Sequence, residues 1–522
     1  MHGGRTIWRA LDRARAANLE AAGEAPPSRA SDGISRRRLL GAMAAGAAMT
    51  GLPSCFRDGR RRIAVVGGGL AGLAALSRLV AAGADAELFE ARAAVGGRTR
   101  TARGVFADGY AFDEGAQLVN SDHHDVLELV RELGLSLIDR RAIGHAEEIQ
   151  IGTDGPVPER LLARDLRAVA ARITADADRL DADYEAVAAE IDRMSVKDYL
   201  DRHGLAPGDA RNALEAGIRT EYGVEPDHAS ALELLFNLPT VDGERVSRLS
   251  LSDERFLIDG GTGQMAQMLG GRLAPHIRLN RRLAAVTIGE NDVRLTFTTG
   301  ESRVCDRVIL ALPAPLLREV AIEGPLPPLW RELIAEVNLG SNEKLIAGYD
   351  RQGWYRTMGA AGALWSADGF SAAWDAASRP AGSDNAPGAI TYFLGGGQVG
   401  SAAGASAGDL AKRFTAIAGK AIPGMPDPNA RIRRTRWCDD PLTRGAYVNF
   451  RPGQLTRFGS LLTLEEEGRM RPSRAGPLLF AGEWLSDAWP GYMNGALQTG
   501  RIAAEAALAA DVPAWSPYGL MC

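Results

Sequence analysis

Residues 61–92 read RRIAVVGGGLAGLAALSRLVAAGADAELFEAR and contain an apolar run, a glycine cluster and a second apolar run. The first run, Ile63 to Val66, has the β-branched composition of a buried strand. The Ala/Leu-rich segment after the glycines has the composition of a helix, and a second strand then ends at Glu90. The segment therefore predicts a strand–turn–helix–strand unit, which is typical of an α/β fold with a parallel sheet.

The glycines of this unit form the pattern GxGxxG of dinucleotide-binding proteins. Gly67 permits a tight turn, Gly69 lets backbone N–H groups approach a pyrophosphate, and Gly72 lets the helix pack closely on the strand. The phosphates would face the positive end of that helix, and Glu90 stands at the distance expected of a ribose-binding acid. A merely flexible loop would need neither the flanking elements nor the acid. The predicted nucleotide-binding residues are Gly67, Gly69, Leu70, Ala71, Gly72 and Glu90.

A second glycine motif follows at once in EARAAVGGRTRT, residues 90–101. Two glycines beside an arginine suggest a second approach to the same diphosphate, with charge-assisted hydrogen bonds from the arginine. An Arg-rich surface turn is the alternative. The residues predicted to contribute are Ala91, Arg92, Gly96, Gly97 and Arg98. The first motif alone does not distinguish NAD from FAD.

Composition limits the remaining classes. A chain of 522 residues is too long for one ordinary core, so two domains with interleaved segments are expected. The formal net charge of −5 gives no electrostatic argument for nucleic-acid binding. No CxxC or HExxH pattern occurs, so no metal site is predicted. The adjacent His123 and His124 are expected to be a solvated loop feature, because neighbouring side chains point apart.

Residues 1–60 are predicted to form a leader. SRRRLLGAMAAGAAMTGLPSC, residues 35–55, is a basic run followed by an apolar stretch too short to span a bilayer. This order resembles a twin-arginine-type signal, and residues 52–55 resemble a lipobox that would attach a lipid to Cys55. The expected location is therefore periplasmic or membrane-anchored. If the leader is only a basic tail, the protein is expected in the cytoplasm.

Five further motifs resemble segments of the flavin-containing amine oxidases, the family that includes monoamine and polyamine oxidases. The similarity covers the chain from Arg61 to about Ala510, so it is far more specific than GxGxxG alone. The motifs are FDEGAQLVN at 112–120, FLIDGGTGQMAQML at 256–269, VNLGSNEKLIAGYD at 337–350, RWCDDPLTRGAYVNFRPGQ at 436–454 and FAGEWLSDAWPGYMNGALQTGR at 480–501.

The resemblance implies FAD as the cofactor. It places the main chain of Leu283 at the adenine, Trp437 near the flavin ring, and the backbone N–H of Met493 at a ring carbonyl. The residues implied to bind FAD in this part of the chain are Gly115, Ala116, Gln117, Leu283, Trp437, Gly482, Glu483, Gly491, Tyr492 and Met493.

The resemblance also implies three residues on the substrate side. Tyr447 and Tyr492 match two aromatic side chains that form a cage for the amine, and Lys344 matches a lysine that holds a water at the flavin N5 edge. Core packing is the alternative for the tyrosines, and a solvated strand edge is the alternative for the lysine. Lysine is rare in this chain, which favours the functional interpretation.

Two departures from the family pattern carry predictions. Many monoamine oxidases bind flavin covalently through a cysteine, and Ala446 stands at that position here, so the FAD is expected to be non-covalent. The L-amino-acid oxidases of the superfamily carry an arginine where residues 115–119 read GAQLV. Without it, an α-carboxylate would be buried unpaired at a high free-energy cost, so amines are preferred.

The implied fold class is α/β, with a Rossmann-like FAD-binding domain interleaved with a mixed α+β substrate domain. The FAD-binding domain would comprise residues 61–140, 251–325 and 437–512, the substrate domain residues 141–250 and 326–436, and the tail residues 513–522. Leu162, Leu166, Val169 and Ile173 recur at helical spacing, and Ser195-x-x-Asp198 predicts a helix N-cap.

The expected activity is oxidation of a primary or secondary amine to an imine, which hydrolyses to a carbonyl compound while O₂ becomes hydrogen peroxide. The expected partners are a small-molecule amine and O₂ or another electron acceptor; a dimer is compatible with the sequence. No strong general base is evident. The alternatives are an L-amino-acid oxidase, an amine dehydrogenase with another acceptor, an NAD-dependent dehydrogenase and a non-catalytic flavoprotein.

Overall fold

The computed structural model describes residues 61–106, 110–250, 252–377, 379, 383–466 and 469–509. The predicted signal, the lipobox with Cys55 and the tail 513–522 lie outside these residues. Within the described ranges, no helix combines the length and apolar character needed to cross a membrane, and no group of three or more His, Cys, Asp or Glu could hold a metal ion.

The first sheet is the one that the glycine-rich unit predicts. Its neighbouring strands run parallel except for the last pair. The helix Leu70–Ala81 follows the first strand and packs against the C-terminal helix Met493–Leu508. In spatial order the strands are Ile277–Arg278, Asp85–Phe89, Arg62–Val66, Arg307–Leu310, Leu478–Phe480 and Arg474–Ala475.

The close contact of these two helices depends on a glycine. A Cβ atom at Gly500 would lie 2.1 Å from the carbonyl oxygen of Ala71. Any larger residue would push the C-terminal helix away from the first one. Two segments that are far apart in sequence are therefore joined through close backbone contact.

A second sheet of six strands belongs to the other part of the chain. Its two longest strands, Asn342–Tyr349 and Gly388–Gly395, form an antiparallel pair and are fully buried. In spatial order the strands are Ile432–Arg434, Asn342–Tyr349, Gly388–Gly395, Ala372–Asp375, Ala363–Ser366 and Glu148–Ile151.

A helical layer lies in sequence between the strand Glu148–Ile151 and the other strands of this sheet. The helix Glu159–Ala182 buries Leu162, Leu166, Val169 and Ile173, which confirms the predicted helical spacing. Ser195 and Asp198 form a reciprocal capping box at the start of the helix Val196–Arg202, which confirms the predicted N-cap. The other helices of this layer are Tyr184–Ile191, Asp209–Tyr222 and Ala231–Asn237.

Shorter elements connect these layers. A four-stranded sheet contains Ser302–Cys305, Val293–Phe297, Leu283–Ile288 and Ala321–Glu323. Two-stranded pairs are Thr101–Arg103 with Ala111–Asp113, Leu137–Asp139 with Phe256–Ile258, Thr240–Asp242 with Arg245–Ser247, Asn338–Leu339 with Val448–Asn449, and Leu464–Glu466 with Arg469–Arg471. The remaining α-helices are His124–Leu133, Gly263–Arg272, Ala314–Leu317, Pro328–Glu336, Tyr355–Met358, Gly397–Ser401, Ala407–Ala418 and Gln454–Phe458.

The predicted fold class is confirmed: a parallel α/β unit is interleaved with a mixed α+β unit. The helix Pro328–Glu336 follows the predicted domain boundary at residue 325 but contacts the first sheet. In Pro328–Glu336, Trp330 stacks on Phe480 of the first sheet with ring centroids 4.1 Å apart. This helix packs with the nucleotide-binding side of the molecule, because Trp330 needs an apolar surface that Phe480 supplies.

Candidate active site

A long cleft opens at the carboxyl ends of the parallel strands. The residues that follow these strands, among them Gly67, Glu90, Leu312 and Gly482, line it together. In an open α/β sheet this edge is where ligands bind. The cleft therefore stands where the glycine motifs predict a dinucleotide.

The cleft begins at the N-terminus of the helix Leu70–Ala81. Gly69 is the N-cap of this helix, and no described side chain caps it, so the N–H groups of the first turn keep their hydrogen-bonding capacity. Gly72 does not line the cleft; a Cβ there would lie 1.9 Å from the carbonyl oxygen of Gly67. It permits the close turn that brings the helix end to the strand.

A second helix has its N-terminus at the same cleft. Tyr492 is the N-cap of Met493–Leu508, and again no side chain among the described residues caps the helix. Tyr492 and Met493 line the cleft at this end. The cleft thus has positive helix termini at two places, which favours a ligand with negative charge at both.

Both carboxylate oxygens of Glu90 accept hydrogen bonds from backbone N–H groups of the glycine motifs. Oε2 accepts from the N–H of Gly68 at 2.6 Å, and Oε1 accepts from the N–H of Arg92 at 2.7 Å. The side chain is buried and lines the cleft. The acid that the sequence assigns to a ribose therefore also fixes the turn around the first strand.

The two predicted arginines are paired with carboxylates. Arg92 donates to Asp440 at 2.7 Å, and Arg98 donates to Glu483 at 2.7 Å and to the carbonyl oxygen of Ala446. A ligand phosphate would share these guanidinium groups with their acidic partners. The sequence-predicted residues that line this cleft are Gly67, Gly69, Leu70, Ala71, Glu90, Ala91, Arg92, Gly96, Gly97, Arg98, Gly115, Ala116, Leu283, Lys344, Trp437, Tyr447, Gly482, Glu483, Gly491, Tyr492 and Met493.

Glu483 joins three separate segments at the deep end of the cleft. Besides Arg98, its carboxylate accepts from the N–H of Gly491 at 3.0 Å and from the N–H of Val448 at 3.4 Å. It thereby ties together the loops that carry Tyr447 and Tyr492. The sequence placed Glu483 at the cofactor, and the structure adds this positioning role.

Lys344 is buried in the strand Asn342–Tyr349. Its ammonium donates to the carbonyl oxygens of Asp113 at 2.9 Å and Gly115 at 2.7 Å, and more weakly to Gln117 Oε1 at 3.4 Å. Burial lowers the pKa of Lys344 to about 8, although the nearby Asp113 carboxylate opposes this. The lysine therefore holds the segment that lines the cleft, and its predicted water at N5 stays a prediction.

A second pocket adjoins the cleft through a shared wall. Gln117, the other predicted residue absent from the first cleft, lines this pocket, and its Oε1 accepts from Trp374 Nε1 at 3.0 Å. The residues common to both spaces are Gly115, Ala116, Lys344, Phe393, Tyr447, Gly491, Tyr492 and Met493. Tyr447 and Tyr492 thus stand where the two spaces meet.

The environment of the tyrosine pair is largely aromatic. The ring centroids of Phe393 and Tyr447 lie 6.4 Å apart, and the ring of His123 meets that of Tyr492 edge-on with the centroids 5.1 Å apart. Burial raises the pKa of both phenols. Both tyrosines are therefore neutral at physiological pH.

His123 corrects one expectation. It is fully buried, whereas His124 is exposed. Nδ1 of His123 accepts from the N–H of Asn120 at 3.1 Å, and burial lowers the pKa of the ring to about 4. The pair is not a solvated loop feature, because one ring turns inward to pack on Tyr492.

Two acidic residues of the second pocket were missed from the sequence. Glu221 accepts from the Tyr492 hydroxyl at 2.9 Å, and Glu254 lines the same pocket. Burial, followed by the charge of Glu254, raises the pKa of Glu221 to about 7. Neither residue belongs to one of the motifs that resemble the amine oxidases, although Glu254 stands close to the motif at 256–269.

Arginines also reach the second pocket, contrary to the expectation drawn from residues 115–119. Arg140, Arg141 and Arg255 line it. Arg141 and Arg255 are paired with Asp253 and Asp139, at 3.5 and 2.7 Å. Arg140 donates to two backbone carbonyl oxygens, those of Glu254 and Ala361.

Comparison with known proteins agrees with this geometry. Residues 70–508 match the family described as flavin containing amine oxidoreductase. The chain is 26% identical over 468 residues to flavin-containing amine oxidase B of Canis lupus familiaris, covering 86% of each chain. It is 25% identical over 475 residues to amine oxidase A of the same species, covering 85% of this chain and 84% of the other.

Solved structures share the fold. A putrescine oxidase bound to putrescine superposes with a TM-score of 0.67 at 24% identity, covering 85% of this chain and 98% of the other. Cyclohexylamine oxidase from Brevibacterium oxydans IH-35A superposes with a TM-score of 0.69 at 21% identity, covering 86% of this chain and 99% of the other.

Proposed function

The chain belongs to the flavin-containing amine oxidoreductase family, and on that basis we propose that it oxidises a primary or secondary amine to an imine. The protein is an FAD-dependent enzyme of amine oxidation. Water would hydrolyse the imine to a carbonyl compound, and O₂ would take up the electrons and become hydrogen peroxide.

The observation that carries this proposal is the wall shared by the cleft and the second pocket. Tyr447 and Tyr492 line both spaces. An amine in the second pocket would therefore meet the flavin between two neutral phenol rings. Aromatic faces attract a polar or cationic nitrogen.

FAD, when bound, supplies the acceptor for the two electrons that leave the amine. The helix beginning at Met493 would direct its positive end toward that acceptor. Lys344 holds the segment 113–117 in place, and Glu483 holds the loops of both tyrosines. These residues orient the substrate and exclude water from it.

An amine is a better substrate for this pocket than an α-amino acid. Arg141 and Arg255 already face carboxylates, and Arg140 is committed to carbonyl oxygens and to Glu254. Glu221 adds negative charge beside the tyrosines. A substrate carboxylate would therefore be repelled there unless it displaced an existing partner.

The test is anaerobic mixing of the purified holoenzyme with benzylamine, cyclohexylamine, putrescine and L-phenylalanine, followed by the flavin absorbance. We expect at least one amine to bleach the flavin faster than L-phenylalanine does. Readmitted O₂ should then restore the colour with one hydrogen peroxide per flavin. Bleaching by the amino acid alone would contradict amine oxidation, and bleaching without peroxide would indicate another electron acceptor.

A further inference from the structure

Glu221 and Glu254 are two carboxylates of the second pocket. Glu221 lies at the end of the helix Asp209–Tyr222, and Glu254 precedes the strand Phe256–Ile258. Both line the pocket together with the tyrosines. The charge of Glu254 disfavours ionisation of Glu221.

One oxygen of Glu221 is committed and the other is open. Oε2 accepts from the hydroxyl of Tyr492 at 2.9 Å, which directs the carboxylate at the cage. Oε1 has no hydrogen-bond partner among the described residues. An N–H group of a bound amine is the kind of donor that this oxygen lacks.

Glu254 is fixed in an unusual backbone conformation. Its φ of 39° lies in the left-handed region. Asn120 Oδ1 accepts from its N–H at 3.0 Å, and Arg140 donates to its carbonyl oxygen at 2.8 Å. Strained backbone of this kind persists where surrounding contacts enforce it, as at functional sites.

The other charged groups around Glu221 have partners. Glu254 itself faces Arg140 at 3.6 Å, and Glu148 faces Arg248 at 3.0 Å. The Lys344 ammonium is used by the segment 113–117. Arg141, Asp253 and Arg255 are paired as described above, and the remaining titratable groups are the neutral Tyr447, Tyr492 and His123. Glu221 is thus the carboxylate of this pocket without a cation in the described part of the chain.

An amine needs to lose a proton before it can be oxidised. Alkylamines are cations at neutral pH, because their pKa resembles that of lysine, about 10.4. Oxidation at the α-carbon requires the nitrogen lone pair, which the ammonium lacks. A proton must therefore leave the nitrogen inside the pocket or before entry.

We propose, on the basis of the proposed function, that Glu221 binds the substrate as its ammonium and accepts this proton on Oε1. One N–H bond of the ammonium breaks, one O–H bond forms, and the nitrogen keeps its electron pair. Nothing is oxidised or reduced in this step. Burial of the carboxylate, followed by the charge of Glu254, raises the pKa of Glu221 to about 7, which makes it a stronger base than an ordinary carboxylate.

The first test measures binding rather than turnover. tert-Butylamine has no α-hydrogen, so the enzyme cannot oxidise it, and its Kd can be followed by calorimetry between about pH 7.5 and pH 9.5. The wild-type Kd should change less than about threefold, because the cation binds. In Glu221→Gln only the neutral amine binds, so the Kd should be much weaker at the lower pH and improve about 100-fold.

The control is Glu215→Gln on the same helix, since Glu215 bonds Arg211 and Arg219 and does not line the pocket. Its pH profile should match the wild type. Tyr492→Phe, which removes the hydroxyl and keeps the carboxylate, should also give a flat profile. This second variant tests the proposal if Glu221→Gln fails to retain FAD.

A Glu221→Gln profile parallel to the wild type, whether weaker or not, would overturn the proposal, because the carboxylate would then only shape the pocket. The same holds for a tenfold change per pH unit in Tyr492→Phe. Flavin reduction by the amine panel separates the two proposals. If no amine reduces the flavin, the proposed function fails; if amines reduce it and the Kd profiles are parallel, only the role of Glu221 fails.

Discussion

His123 is a single residue whose burial links the stability of the protein to pH. The imidazole is fully buried against Tyr492, and burial lowers its pKa to about 4. The unfolded chain would bind a proton near the ordinary value of about 6.5. Below a pH of about 6.5 the imidazole of the unfolded chain is protonated, whereas the buried imidazole of the folded protein stays neutral until about pH 4. Acid therefore favours unfolding.

We therefore expect the free energy of unfolding to decrease by about 3 kcal/mol as the pH falls from about 6.5 to 4, through this residue alone. His123→Gln should remove that part of the acid dependence. Urea unfolding of the holoenzyme at several pH values measures it, with the exposed neighbour in His124→Gln as the control. Equal acid dependence in wild type and His123→Gln would contradict the buried neutral ring.

At the level of elements, the helix pair Leu70–Ala81 and Met493–Leu508 presents two uncapped N-termini to one cleft. Gly500 sets their separation, because it lies directly on the backbone of Ala71. A shift of either helix would move the residues at its N-terminus. The cofactor site therefore depends on the packing of Ala71, one of its own lining residues, against a glycine that does not line the cleft.

Gly500→Ala should destabilise the protein by about 1–3 kcal/mol through overpacking and should weaken FAD retention. Gly271→Ala in the helix Gly263–Arg272 is the matched control, since a Cβ atom at Gly271 would meet nothing within 4 Å. Thermal unfolding and the ratio of flavin to protein after gel filtration are the two measurements. Full flavin content and an unchanged Tm in Gly500→Ala would show that the helices can move apart without effect.

For the molecule as a whole, the sequence predicted more of the fold than of the substrate side. The glycine motifs and the strand composition predicted the first sheet because those signals are local. Glu221 and Glu254 were not predicted, since they are far apart in sequence and only folding places them in one pocket. His123 was misjudged because local spacing does not reveal which of two neighbouring rings turns inward.

The same scale carries the prediction on cofactor attachment. Ala446 has no side-chain atom that could form a thioether, and it is buried beside Tyr447 at the cleft. We expect the purified protein to retain FAD and to release it intact when acid or heat unfolds the chain. Separation of precipitate from supernatant, followed by flavin fluorescence, checks this; flavin that stays with the precipitated chain would contradict it.

The pairing of the helices Leu70–Ala81 and Met493–Leu508 also has a consequence for synthesis on the ribosome. Residues 81 and 493 are separated by 412 positions, the difference of the two numbers that bound these helices. At about 5–20 residues per second, about 20–80 s pass between synthesis of the helix Leu70–Ala81 and synthesis of its partner helix. During this time Leu73 and Leu76, which the finished protein buries in a core cluster that also contains Leu497 and Ala503 of the later helix, need cover from elsewhere. Because Tyr492 and Met493 line the cleft, we expect FAD to bind only after the later helix has been synthesised.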